Sequence, residues 1–170
     1  MLEPATENIV ELEYEFFRNM YSCDNFWCLS TTGSRIISFD DEPGVYKYAV
    51  MDTIYGVKSC IGYFSFSADP ATRSVNEVTM ISFFKGRLSF VRDVYNKLME
   101  LMRDYDRIEF SVICGNPVER HYDRFIKKFN GQKFVLHNCE IDDHGRLYDT
   151  AIYEILTRPS SDTDKYGEES

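Results

Sequence analysis

The chain has 170 residues, 44% of them hydrophobic and 15% aromatic, with 13 Phe and 12 Tyr. That is material for one compact domain, and it excludes a chain disordered throughout. With 19 basic against 28 acidic residues the net charge is −9, and no basic face of the kind that holds nucleic acid is visible.

No apolar run approaches the roughly 18–20 residues of a membrane span. The start, Met1 to Pro4, lacks the basic and apolar parts of a signal peptide. The expected compartment is the cytoplasm, with no membrane and no nucleic acid as partner. The cysteines stand at 23, 28, 60, 114 and 139, without a C-x-x-C pair, and the histidines at 121, 137 and 144 are scattered. These spacings suit reduced, buried thiols rather than a metal site. An acidic surface could attract a cationic ligand, although solubility accounts for it equally well.

Ile9, Val10 and Leu12 could form a short strand followed by a helix through Tyr14, Phe17, Met20 and Tyr21; one continuous helix is the alternative. Phe26, Trp27 and Leu29 suit a second short helix or a packed loop. Tyr46 to Met51 is rich in strand formers, as are Ser59 to Phe66 and Val75 to Phe84. Turn residues lie between them, at Asp52 to Gly56 and Asp69 to Thr72, so the three strands form an antiparallel meander.

A helix follows, with Leu88, Val91, Val94, Tyr95, Leu98, Leu101 and Met102 on one face. Ile108 to Cys114 is the next strand. Strand, crossover helix and strand make a right-handed βαβ unit, so strands 75–84 and 108–114 should run parallel. They need not be hydrogen-bonded along their full length. Asn116 is a good N-cap, Pro117 fits the first helical position, and Glu119 could close a capping box on Asn116. Val118, His121 or Tyr122, Phe125 and Phe129 form the buried stripe, and Asn130-Gly131 supplies a left-handed stop. Lys133 to Ile141 and Leu147 to Leu156 flank the hairpin turn Asp142 to Gly145. The order β-β-β-α-β-α-β-β after a helical N-terminus gives an α+β fold. Its sheet is mixed and mainly antiparallel, with flanking helices, in a single domain over residues 1–158. Residues 159–170 are a small acidic tail, expected to be disordered.

This order, from about Tyr46 to Leu156, resembles the GNAT superfamily of acyl-CoA-dependent N-acetyltransferases. The resemblance rests on three features: the strand–loop–helix from Val78 to Phe90, the strand 108–114 running into Gly115-Asn116 and a helix, and the final hairpin with Tyr148, Asp149 and Tyr153. It implies a sheet with a splayed parallel pair of strands and acetyl-CoA lying between them. Carried across, the cofactor-binding residues are Ile81, Ser82, Phe83, Phe84, Lys85, Gly86, Arg87, Leu88, Ser89 and Asn116. A helix N-terminus suits a pyrophosphate because its first N–H groups are unpaired and its dipole is positive there. Gly86 permits close backbone approach, and Lys85 and Arg87 add charge. The loop departs from the family pattern, with Phe83 in place of Gln or Arg and Leu88 in place of a small residue.

By the same resemblance, Tyr122 is the candidate acid that protonates the departing thiolate, and Glu77 the candidate base that deprotonates the amine. Tyr122 lies six residues past Asn116, one step short of the family spacing. Glu109 and Asp149 compete with Glu77. Backbone N–H groups near Met80 to Ser82 would hold the developing oxyanion. The function implied is transfer of an acetyl group from acetyl-CoA to a primary amine of a small molecule or a protein, by direct transfer and with no metal. The alternative is a catalytically inactive module on the same scaffold that binds a protein partner.

Overall fold

The computed structural model describes residues 1–21, 38–142 and 144–158. Seven strands form one sheet in the order β1-β2-β3-β4-β5-β7-β6. They are β1 (Leu2–Pro4), β2 (Val45–Ile54), β3 (Val57–Asp69), β4 (Ser74–Ser82), β5 (Arg107–Ile113), β6 (Gln132–Ile141) and β7 (Leu147–Leu156). The helices are α1 (Ile9–Phe16), α2 (Leu88–Asp104) and α3 (Glu119–Lys128). Every neighbouring pair is antiparallel except β4 and β5. The expected α+β order and the mixed sheet are therefore present.

Side chains of β3 are buried from Cys60 to Phe66, as befits a strand covered on both faces. Ile61, Phe64 and Phe66 join one core with Phe90, Val94, Leu98 and Leu101 of α2 and Ile126 of α3. Cys60 and Tyr63 join a second core on the other face, with Leu12 and Phe16 of α1, Phe39 and Phe83. Phe16 anchors that layer, with its ring centroid 5.2 Å from Phe83 and 5.5 Å from Tyr63.

Several expectations are corrected. The strand at Leu2–Pro4 was not foreseen, and it pairs with β2. The N-terminal segment is helical from Ile9, which decides between the two alternatives there, and it ends in a π-helical turn, Phe17–Tyr21. The third meander strand stops at Ser82, leaving Phe83 and Phe84 in the loop. On α2 the buried stripe is Phe90, Val94, Leu98 and Leu101, whereas Leu88 and Val91 are exposed. On α3 it is Tyr122, not His121, that packs on the core, beside a buried Ile126. Asn130, at φ 53°, is the left-handed residue of the stop. Of the cysteines, Cys60 is buried and its thiol is pushed up to about 11 by desolvation, but Cys139 is exposed. Cys23, Cys28, Phe26, Trp27, Leu29 and the tail 159–170 lie outside the described residues.

Gly62 leaves room for the Phe90 ring of α2 against the sheet. A Cβ there would come within 2.5 Å of both the Ile81 carbonyl oxygen and the Phe90 ring. Overpacking of this kind costs about 1–3 kcal/mol, and with backbone on one side the upper end applies. Gly62→Ala should lower unfolding free energy by about 3 kcal/mol in a urea titration.

Candidate functional site

β4 and β5 pair only at Ser74↔Arg107 and Val75↔Ile108. β4 then runs on to Ser82 and β5 to Ile113 with no further pairing, so the two strands part towards their C-terminal ends as expected.

The wedge between them is lined by main chain. Phe83 donates its N–H to the Ile61 carbonyl at 3.0 Å. Alternation along an antiparallel pair therefore turns Thr79 and Ile81 towards β3, and Met80 and Ser82 towards β5. On the opposite wall Cys114 donates to the Asp149 carbonyl at 2.8 Å. Val112 and Phe110 thus serve β7, and Ser111 and Ile113 face β4. The Ile113 carbonyl is taken by the Asn116 N–H at 3.1 Å. No strand among the described residues matches the remaining groups of this wedge, and main-chain groups left without partners attract a ligand that can pair with them.

The open end of the wedge carries the loop 83–87. Gly86 has φ 74°, with nothing within 4 Å of a Cβ built on it. α2 begins at Leu88 without a side-chain cap, which leaves its first-turn N–H groups for water or an anion. The Ser82 hydroxyl donates to the Phe84 carbonyl at 2.8 Å and fixes the loop's first half. The Arg87 guanidinium stands 5.9 Å from the Phe84 ring centroid, and that of Arg18 5.8 Å from it. With Lys85, three cations gather at this loop. Arg18 was not anticipated, since only the π-helical turn after α1 brings it there and no local sequence pattern signals such a turn.

The other lip of the open end is the turn after β5. Asn116 Oδ1 accepts the Val118 N–H at 3.0 Å, the capping bond expected of it. Regular helix starts at Glu119, two residues later than expected. Glu119 does reach back, but its Oε2 accepts the Gly115 N–H at 2.9 Å rather than that of Asn116. Its other oxygen meets Lys133 Nζ at 2.8 Å, and Lys133 also meets Asp123 at 2.8 Å. The Tyr153 hydroxyl donates to the same Asp123 oxygen at 3.0 Å. Desolvation pushes the Tyr153 phenol up to about 12.

This architecture recurs in solved structures. An acetyltransferase from Salmonella typhimurium described as modifying the N-terminal serine of ribosomal protein L7/L12 matches at TM-score 0.61 and 12% identity, covering 91% of this chain and 93% of that one. Spermidine/spermine N-acetyltransferase SpeG from Vibrio cholerae matches at TM-score 0.52 and 18% identity, covering 68% and 67%. A GNAT-family structure from Chromobacterium violaceum matches at TM-score 0.51 and 15% identity, covering 68% and 61%. The chain has the fold of the GNAT acetyltransferases. No protein-family model matches the sequence, and no curated protein matches it at a significant level. The chain spans about six-tenths of the length of two of the matched structures, 59% and 61%.

On this GNAT fold the sequence-predicted residues fall into three groups. Ile81 to Ser89 form one lip of the open end of the wedge, and Asn116 stands on the other, after β5. Within that group Phe83 is buried against Phe16, Leu88 is exposed, and the Ser89 hydroxyl donates to Asp52 at 2.6 Å. Glu77 lies two positions past the last paired residue of β4, at the closed end. The register of β3 and β4 slips there, Glu77 has φ 54°, and its carboxylate accepts the Ser67 hydroxyl at 2.7 Å. Tyr122 is half-buried, with its ring 5.1 Å from Phe110 and 5.7 Å from Tyr153. Among the competitors, Asp149 accepts the Asn138 N–H and bonds the His137 ring, each at 2.9 Å, and Glu109 pairs with Arg107. Among the described residues no three His, Cys, Asp or Glu side chains converge as metal ligands, and no helix is long and apolar enough to cross a membrane.

Proposed function

We propose that the chain is an N-acetyltransferase that moves an acetyl group from acetyl-CoA to a primary amine. The observation that carries this reading is the wedge. Two parallel strands separate after two residue pairs, leaving the main chain of Met80, Ser82, Ser111 and Ile113 facing an opening with an uncapped helix start and three cations at its mouth. An extended arm that carries amides and ends in phosphates is complementary to both parts. The acceptor is assigned as a primary amine, of a small molecule or a protein, because the SpeG and L7/L12 neighbours are described by such acceptors.

In this reading the pyrophosphate rests on Lys85, Gly86 and Arg87 and the first turn of α2, and the arm runs down the wedge past Asn116. Glu77 and Phe110 each lie two positions beyond the last paired residue on their strands, and Tyr122 packs on Phe110. This supports a base from β4 and an acid from α3 at one level of the wedge. The amine nitrogen loses a proton to Glu77, directly or through water, and attacks the thioester carbonyl. Main-chain N–H groups near Met80 to Ser82 hold the oxyanion. The C–S bond breaks, and Tyr122 gives its proton to the leaving thiolate. Holding both substrates together supplies much of the rate.

Acetyl-CoA at 100 times its Kd should stabilise the fold by about 2.7 kcal/mol. For a domain of this size that raises Tm by several degrees. A melting curve that acetyl-CoA leaves unchanged would sink the reading and favour a partner-binding module on the same fold.

A further inference from the structure

Lys133 sits on β6, two strands from β5, yet its contacts lead to the turn at the end of β5. Its ammonium lies between two carboxylates, Glu119 Oε1 and Asp123 Oδ1, each at 2.8 Å. The same ammonium lies over the Tyr153 ring, 5.3 Å from its centroid, so the cation is stacked as well as paired. The far oxygen of Glu119 holds the Gly115 N–H at 2.9 Å. A chain of bonded groups thus runs from β6 through α3 to the turn that forms one lip of the wedge.

The two carboxylates repel each other. Asp123 acts against ionisation of Glu119, while the Lys133 hydrogen bond and then the Gly115 amide hold the Glu119 carboxyl below its ordinary range. Like charges brought this close need a cation between them. Without Lys133, Glu119 would lose its strongest partner and keep the repulsion of Asp123, which would loosen its hold on Gly115. Among the described residues no other acceptor takes the Gly115 amide, and Gly115, at φ 93°, has the conformational freedom to move.

We propose that Lys133 is a positioning residue for the acyl donor: by clamping Glu119 onto the Gly115 amide it fixes the Gly115-Asn116 lip against which the donor's arm lies. This rests on the acetyl-CoA reading above. Ordinary surface ion pairs contribute little to stability, and side-chain exposures of 27% for Lys133 and 23% for Glu119 place this pair between surface and core. Its loss should therefore be felt more at the lip than in global stability.

The test is amide hydrogen exchange followed by NMR, with acetyl-CoA affinity measured by calorimetry on the same samples. In Lys133→Met the Gly115 amide should exchange at least tenfold faster, while the Val112 and Ala151 amides keep their wild-type rates. The acetyl-CoA Kd should rise fivefold or more. Adding Asp123→Asn removes the repulsion and should restore slow Gly115 exchange, and Lys133→Arg should keep both properties. The proposal is overturned if Gly115 exchange does not change, or if all amides accelerate together. It is equally overturned if Gly115 is released while affinity stays the same. A wild type that binds no acetyl-CoA overturns the functional reading and the wedge role of Lys133 together. That result is seen before any substitution is made, so it is told apart from failure of the brace, which the exchange rates judge alone.

Discussion

Gly86→Val should abolish measurable acetyl-CoA binding while leaving Tm nearly where it was. A Cβ at Gly86 meets no atom within 4 Å, so the substitution creates no clash. The backbone is what forbids it. At φ 74° a β-branched residue is strained by about 1–3 kcal/mol, and an exposed loop relieves that strain by leaving the left-handed region. The N–H groups that would face a pyrophosphate then turn away, and Lys85 and Arg87 move with them. Gly86→Asn is the control, since Asn tolerates positive φ, and it should keep most of the affinity. Calorimetric titration of both variants decides the matter. Equal affinity in wild type and Gly86→Val would remove the loop from the donor site.

Tyr122→Phe should lower turnover 100-fold or more in an active preparation, with little change in acetyl-CoA affinity. In the proposed mechanism the phenol proton would be needed only as the thiolate departs, so its loss would fall on kcat. General acid catalysis is typically worth 10²–10⁴-fold. The ring contacts with Phe110 and Tyr153 are made by carbon atoms and survive the change, so folding is a weak confounder. If the side chain serves only packing, the variant loses whatever bond its hydroxyl makes, about 1 kcal/mol of stability, and turnover stays within threefold. That result would shift the acid's role to Tyr148 or Tyr153. Each of these already has its hydroxyl on a carboxylate, Tyr148 on Asp142 at 3.1 Å and Tyr153 on Asp123 at 3.0 Å.

The part of the fold that forms the wedge could be foreseen because its signals are local. Periodicity marked α2, the alternation and turn residues marked the meander, and Asn116-Pro117 with Asn130-Gly131 bracketed α3. What escaped had no local signal. The strand Leu2–Pro4 is three residues long and ends in proline, so only its pairing with Tyr48 to Val50 makes it a strand. The outward placement of Leu88 and Val91 follows from Phe90 taking the contact with Gly62, a tertiary choice that hydrophobicity does not encode. Glu119 was expected to bond Asn116 but bonds Gly115, because the turn delays the helix by two residues. Arg18 and Lys133 reach the open end of the wedge from segments far away in sequence, and charge alone does not distinguish them from other surface cations.

The seam between β4 and β5 also has a mechanical consequence. The sheet consists of two antiparallel plates, β1 to β4 and β5 to β7, and among the described residues β4 and β5 pair only at Ser74–Val75 and Arg107–Ile108, with the Arg73 carbonyl accepting the Asp106 N–H just before them. Beyond that seam the plates are held by side chains of α2 and α3 packed across them. Side-chain packing resists separation but sets no register, so the angle between the plates is less tightly fixed than the pairing within either plate. An extended ligand in the gap would act as the missing strand, bonding to both plates. In the proposed function the donor would be that ligand, and its binding would make the sheet continuous.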